Sequence, residues 1–109
     1  MELVELLDTL QKSKSEKVIF TTARYGTFAI SLVDTECDSF VELNALLPEN
    51  ETATAMTRTQ LVDALTVAVT SFKPDTPVAL WYEDDRNYIG QIKDYDGVIV
   101  IEHLVNRTA

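Results

Sequence analysis

Lys17-Val18-Ile19-Phe20-Thr21-Thr22 and, 60 residues further on, Pro77-Val78-Ala79-Leu80-Trp81-Tyr82-Glu83 decide the reading of this 109-residue chain. Each is a run of β-forming residues, preceded by a polar connector, Lys12 to Glu16 in one case and Phe72 to Thr76 in the other. Before each connector lies a helical pattern. Leu3, Val4, Leu7 and Leu10 share one face, as do Leu61, Val62, Leu65 and Val69, at a shift of 58. Thr57-Arg58-Thr59-Gln60 reads as a capping box that opens the second helix.

Working outward at a shift of 60, Val18 matches Val78, Phe20 matches Leu80, Phe28 matches Tyr88 and Leu32 matches Ile92. The same shift sets Asp34 against Asp94, Val41 against Ile101 and Glu42 against Glu102. It also aligns two pairs of turns: Ala23 to Gly26 with Glu83 to Arg86, and Asp34 to Ser39 with Asp94 to Gly97. Gly26 and Gly97 can supply the positive φ that tight hairpins need. The expected fold is α+β: one domain over 1–109, built as an internal duplication of an αβββ unit with a mainly antiparallel sheet and two helices packed on it. The first unit covers 1–44, a connector containing Pro48 covers 45–56, and the second unit covers 57–105.

Alternation places Val18, Phe20, Val78, Leu80 and Tyr82 on the helix-covered face, and Ile19, Thr21, Ala79 and Trp81 on the other. The single Trp81 thus stands where the first half has a threonine. Val98-Ile99-Val100-Ile101 is apolar on both faces. With both helices on one side, Trp81, Ile89, Ile99 and Ile101 are left needing cover, so Ile89, Ile99 and Ile101 are the candidate contacts of a homodimer or larger homo-oligomer. Folding of one unit over the other would bury them internally instead.

Eighteen acidic against nine basic side chains give a net charge of -9. This repels phosphate backbones and anionic membranes and favours basic partners, so direct nucleic-acid and membrane binding are disfavoured. Solubility alone also accounts for such acidity. With Cys37 the sole cysteine, no intramolecular disulfide and no multi-thiolate metal site is possible. A reducing cytoplasm is the expected location.

No phosphate loop, nucleophile elbow, paired-histidine zinc motif or dinucleotide fingerprint occurs, so no catalytic residue, metal or cofactor is assigned. His103, the only histidine, lacks a sequence-adjacent nucleophile, and Cys37 sits in an acidic turn with no cation to favour a thiolate. The acidic turns Asp34-Thr35-Glu36-Cys37-Asp38, Glu83-Asp84-Asp85 and Asp94-Tyr95-Asp96 lack the twelve-residue calcium-loop pattern.

The second half, Leu61-Val62-x-x-Leu65, then Lys73-Pro74-Asp75-Thr76-Pro77-Val78, ending in Gly97-Val98-Ile99-Val100-Ile101, resembles a pattern of small phage and prophage accessory proteins. In these a leucine-periodic helix leads through a Pro-Asp turn into a β-meander. In the first half Lys14-Ser15-Glu16-Lys17 replaces the Pro-Asp turn. The resemblance implies a mobile-element protein acting in a bacterial cytoplasm, and it transfers no functional residues.

The leading expectation is a non-catalytic protein that binds and modulates a host protein. Its candidate contacts are Trp81, Glu83, Asp84, Asp85, Asp94, Asp96, Asp34, Glu36 and Asp38. A sharper form is DNA mimicry, in which carboxylates along one elongated face imitate phosphates. Two alternatives stay open: a small-molecule binder or simple hydrolase with Arg24, Tyr25 and His103 in a pocket between the repeats, and an assembly component that oligomerises through Val98 to Ile101.

Overall fold

Leucines spaced at three and four residues, and a capping box, start the two helices; alternating β-branched and aromatic residues make the strands. The computed structural model describes residues 1–37, 39–47 and 53–103. In chain order they form α1 (Leu3–Lys12), β1 (Lys17–Thr22), β2 (Gly26–Phe28), β3 (Ile30–Asp34), β4 (Val41–Ala45), α2 (Arg58–Ala68), β5 (Val78–Tyr82), β6 (Asp85–Tyr95) and β7 (Val98–His103). The fold is α+β, with one mostly antiparallel sheet in the order β2-β1-β7-β6-β5-β4-β3. Two pairings, β1 with β7 and β4 with β5, are parallel and join the two halves of the chain.

β2 and β3 lie at opposite ends of that order yet are separated only by Ala29. The sheet must therefore curl until its ends meet. Curling is produced by bulges, which bend a strand and raise its twist. One register shift falls between Ile30 and Leu32, the other between Ile89 and Gln91. At each the chain changes partner: β2 pairs with β1 and β3 with β4, while Asp85 to Tyr88 of β6 pair with β5 and Ile89 to Tyr95 pair with β7. Three strands per half are thus corrected to seven in all, because the first half interrupts at Ala29 the strand that β6 keeps whole.

Strand pairing runs in a similar order through the two halves, but they hold four strands against three and no single shift relates them, so the expected internal duplication is not confirmed. Val18 pairs with Ile99 and Val41 with Val78, so Val41 occupies the place of Ile99, not of Ile101. By the same pairings Ile30 corresponds to Ile89, Leu32 to Gln91 and Asp34 to Lys93. Each hairpin of the second half is one residue shorter, so the shift falls from 60 at Val18 to 59 at Ile30 and 58 at Val41. Even the approaches to the helices match. The Met1 amine donates to the Ile89 carbonyl and the Leu3 N–H to the Thr76 carbonyl, each at 2.8 Å, while Met56 donates to Ile30 and Arg58 to Glu16, also at 2.8 Å.

The concave face holds one core drawn from both helices and from every strand except β2. Leu3, Leu6, Leu7 and Leu10 of α1 and Leu61, Leu65 and Ala68 of α2 pack on Val18, Phe20, Ile30, Val41, Leu43, Val78, Leu80, Ile89, Ile99 and Ile101. Leu6 takes the buried place assigned to Val4, which is exposed. Ile89, Ile99 and Ile101 are fully buried here, which corrects their reading as a surface for a second copy. With Val98 and Val100 apolar too, alternation could not say which set of β7 faces the helices; the parallel pairing of Val18 with Ile99 decides it.

The capping box forms as read. The Gln60 N–H donates to the Thr57 hydroxyl at 3.2 Å, and the Thr57 N–H donates to Gln60 Oε1 at 3.0 Å. Thr57→Ala is expected to lower stability by about 1 kcal/mol, measurable as a fall in urea midpoint with an unchanged m-value. No helix among the described residues is long and apolar enough to cross a membrane.

Candidate functional site

The outward side chains of a sheet lie in cross-strand rows, and the curl presents two such rows in comparable positions. On one side Leu32 pairs with Asn44, Asn44 with Trp81 and Trp81 with Arg86, so these four residues form a line across β3, β4, β5 and β6. On the other side the line is Gln91, Glu102, Thr21 and Thr27, across β6, β7, β1 and β2. The second line is polar and internally satisfied: Gln91 donates to Glu102 at 2.6 Å, Lys93 lies 3.4 Å from Glu102, and the Thr21 and Thr27 hydroxyls are 3.1 Å apart. The first is not. Its Leu32 is 55% exposed and its Trp81 half-buried.

Arg86 lies with its guanidinium carbon 4.2 Å from the Phe40 ring centroid and 5.6 Å from that of Trp81. Its Nε is 3.8 Å from a Glu42 carboxylate oxygen. Stacking of this kind keeps a long cationic side chain flat against the sheet. It leaves the groove on the far side of Trp81 as the recess of this face.

That groove has a volume of about 680 Å³. Its walls are Leu32 and Ser31 of β3, Asn44 and Ala45 of β4, and Trp81 and Tyr82 of β5, with Leu47 and Ala53 beyond. Glu83 and Asp84 stand at the rim. Both halves of the chain contribute, so a recess between the halves does exist, but Arg24, Tyr25 and His103 do not line it. Arg24 and Tyr25 instead meet Asp85: the Tyr25 hydroxyl donates to its carboxylate at 3.1 Å, and Arg24 lies 3.8 Å away. Desolvation, then that bond to Asp85, raises the Tyr25 hydroxyl above its ordinary pKa. His103 Nδ1 is 3.0 Å from the Tyr88 carbonyl, which can only accept, so Nδ1 carries the proton.

The structure divides the sequence-assigned contacts. Trp81, Glu83 and Asp84 come together at the groove, whereas Asp85 is turned to Tyr25. Asp94 and Asp96 lie at and beyond the far end of the eleven-residue β6. Asp94 accepts from the Ser13 hydroxyl and, at 2.9 Å, from the Ser15 hydroxyl; these bonds hold its carboxyl below the usual carboxylate range. Asp34 closes its own turn by accepting the Glu36 N–H at 2.9 Å, and Asp38 lies outside the described residues. Among the described residues no group of three or more His, Cys, Asp or Glu is placed to hold a metal ion.

Leu32, Asn44 and Arg86 escaped the sequence reading. Leu32 and Val33 are adjacent apolar residues, and only the bulge after Ile30 determines which points outward. The chain matches no protein-family model, no curated protein and no solved structure.

Proposed function

We propose that this chain is a non-catalytic binding domain that occupies the surface of another protein through the outer face of β3, β4, β5 and β6, with the groove beside Trp81 as its anchor point. One observation carries the reading: of two lines in matching positions on the curled sheet, one is polar and closed on itself, and the other exposes Leu32 beside Trp81. Stability requires the same of both, so the line that carries Leu32 and Trp81 serves something outside the fold. Large aromatic side chains beside a recess are the usual anchors of protein interfaces.

The resemblance of the second half to phage accessory proteins makes a bacterial host protein the proposed partner, and modulation or inhibition of that protein the proposed role. The carboxylate geometry favours a local acidic rim over DNA mimicry, since Asp85, Asp94 and Asp34 are each engaged internally and the acidic turns stand at different ends of the sheet.

Capture from a bacterial lysate tests the face, using the wild-type chain, Trp81→Ala and Thr21→Ala, the last at the matching position of the polar line. The expected result is a protein retained by wild type and by Thr21→Ala, with retention reduced about tenfold or more by Trp81→Ala. Retention indifferent to Trp81, or equally sensitive to Thr21, rejects this face as the binding surface.

A further inference from the structure

We infer that the groove takes a cationic side chain, an arginine or lysine next to an apolar residue, presented by an extended segment of the partner. This rests on the binding-face reading above and names the chemistry of its occupant. Leu32, Leu47, Ala53 and Trp81 give the groove apolar wall beside the polar Ser31 and Asn44, and the exposed acidic pair Glu83 and Asp84 completes its lining. A long cationic side chain has that same division, an aliphatic stem and a charged head. Among the described residues neither carboxylate has an ion-pair or hydrogen-bond partner, in contrast to Asp85 beside them, which has both. The attraction of the rim for a cation is therefore not already spent within the fold.

The backbone sharpens the argument. Glu83 and Asp84 occupy the two central positions of the β5–β6 hairpin with φ of 52° and 56°. Such turns favour Asn-Gly, because a side chain at left-handed φ meets its own backbone. Two consecutive carboxylates at these positions set charge at the groove mouth at a steric cost to the turn. The net charge of -9 adds a long-range attraction for basic segments and opposes a second copy of this chain as the occupant.

The same turn preference supplies the test. Glu83→Asn with Asp84→Gly removes both carboxylates and gives the hairpin the residues it favours, so the double variant keeps the fold, as an unchanged urea transition or a higher midpoint will show. Trp81 is the sole tryptophan, so its emission reports occupancy of the groove directly. Acetyl-Leu-Arg-Leu-amide is the probe, and the same peptide with citrulline for arginine is the uncharged comparison.

The arginine peptide is expected to shift Trp81 emission saturably, with affinity falling about tenfold in the double variant, for the citrulline peptide and in high salt. Equal binding of both peptides overturns the cationic occupant while leaving the apolar groove as a docking site. Arginine binding that survives the double variant, or no emission change with either peptide, overturns it also. A partner captured through Trp81 in any of those cases preserves the binding face, so the two readings fail separately.

Discussion

Ile101→Ala is expected to lower the free energy of unfolding by about 2–5 kcal/mol, whereas Val100→Ala, one residue earlier on β7, changes it by less than about 1 kcal/mol. Ile101 is fully buried against the helices, between Phe20 of β1 and Ile92 of β6; Val100 is half-buried on the opposite face. Truncating the first leaves a cavity that a curled sheet pinned at both parallel junctions can close only in part. Truncating the second removes outward surface. Urea denaturation of both variants measures the difference. Similar losses would show that β7 is turned the other way, which would return Ile99 and Ile101 to the surface and revive them as contacts between copies.

Arg58→Ala is expected to cost roughly 1–3 kcal/mol, the range for charged hydrogen bonds with partly buried partners. The Arg58 side chain is only 19% exposed and ties three segments together. It donates to the Leu10 carbonyl at 3.3 Å, to the Ser15 carbonyl at 3.1 Å and to the Glu16 carboxylate at 2.7 Å. The end of α1, the connector into β1 and the first turn of α2 are thereby held in one arrangement. Lysine cannot reproduce this, because only the planar guanidinium offers donors in several fixed directions.

Glu16 gives the same cluster a pH dependence. The Thr59 hydroxyl and backbone N–H donate to its carboxylate, and Arg58 adds a further bond and opposite charge, so its carboxyl is held below the ordinary value. A depressed carboxyl stabilises the folded state above the unfolded-state pKa, about 4.3 for glutamate, and this contribution disappears as pH falls through the lower folded value. Asp94, held down by Ser13 and Ser15, acts in the same direction from about 3.9 downward. Stability should therefore decline on acidification below about pH 4.5. Glu16→Gln should flatten that decline in urea midpoints recorded against pH; an unchanged slope would show that the Glu16 carboxylate is not held at the α2 start in solution.

Much of the architecture was legible because it is written in local preference. The bounds of β1 were read directly, β5 to within a residue at each end, and the capping box of α2 atom by atom, since each depends on neighbours within a few positions. The inward set Val18, Phe20, Val78 and Leu80 follows from alternation alone. Three things were not legible. The one-residue difference in length between corresponding hairpins displaced every match beyond Thr22. The bulges after Ile30 and Ile89 decide which of Leu32 and Val33, and which of Gln91 and Ile92, face outward. The face of β7 was undetermined because all of Val98 to Ile101 are apolar.

At the groove, the sequence singled out Trp81 and its acidic neighbours Glu83 and Asp84, because a lone tryptophan opposite a threonine and a charged turn both stand out in one dimension. It could not supply Leu32 or Asn44, which reach Trp81 only through the parallel pairing of β4 with β5.

Taken alone, the order of residues determined two amphipathic helices, the β-runs that follow them and a strongly acidic surface, all consequences of short-range periodicity and composition. Tertiary structure decided which isoleucines are interior and which residues surround Trp81. Those outcomes depend on the curl of the sheet and on pairing between residues some forty to eighty positions apart, and single-residue bulges move both without leaving a mark in the local pattern.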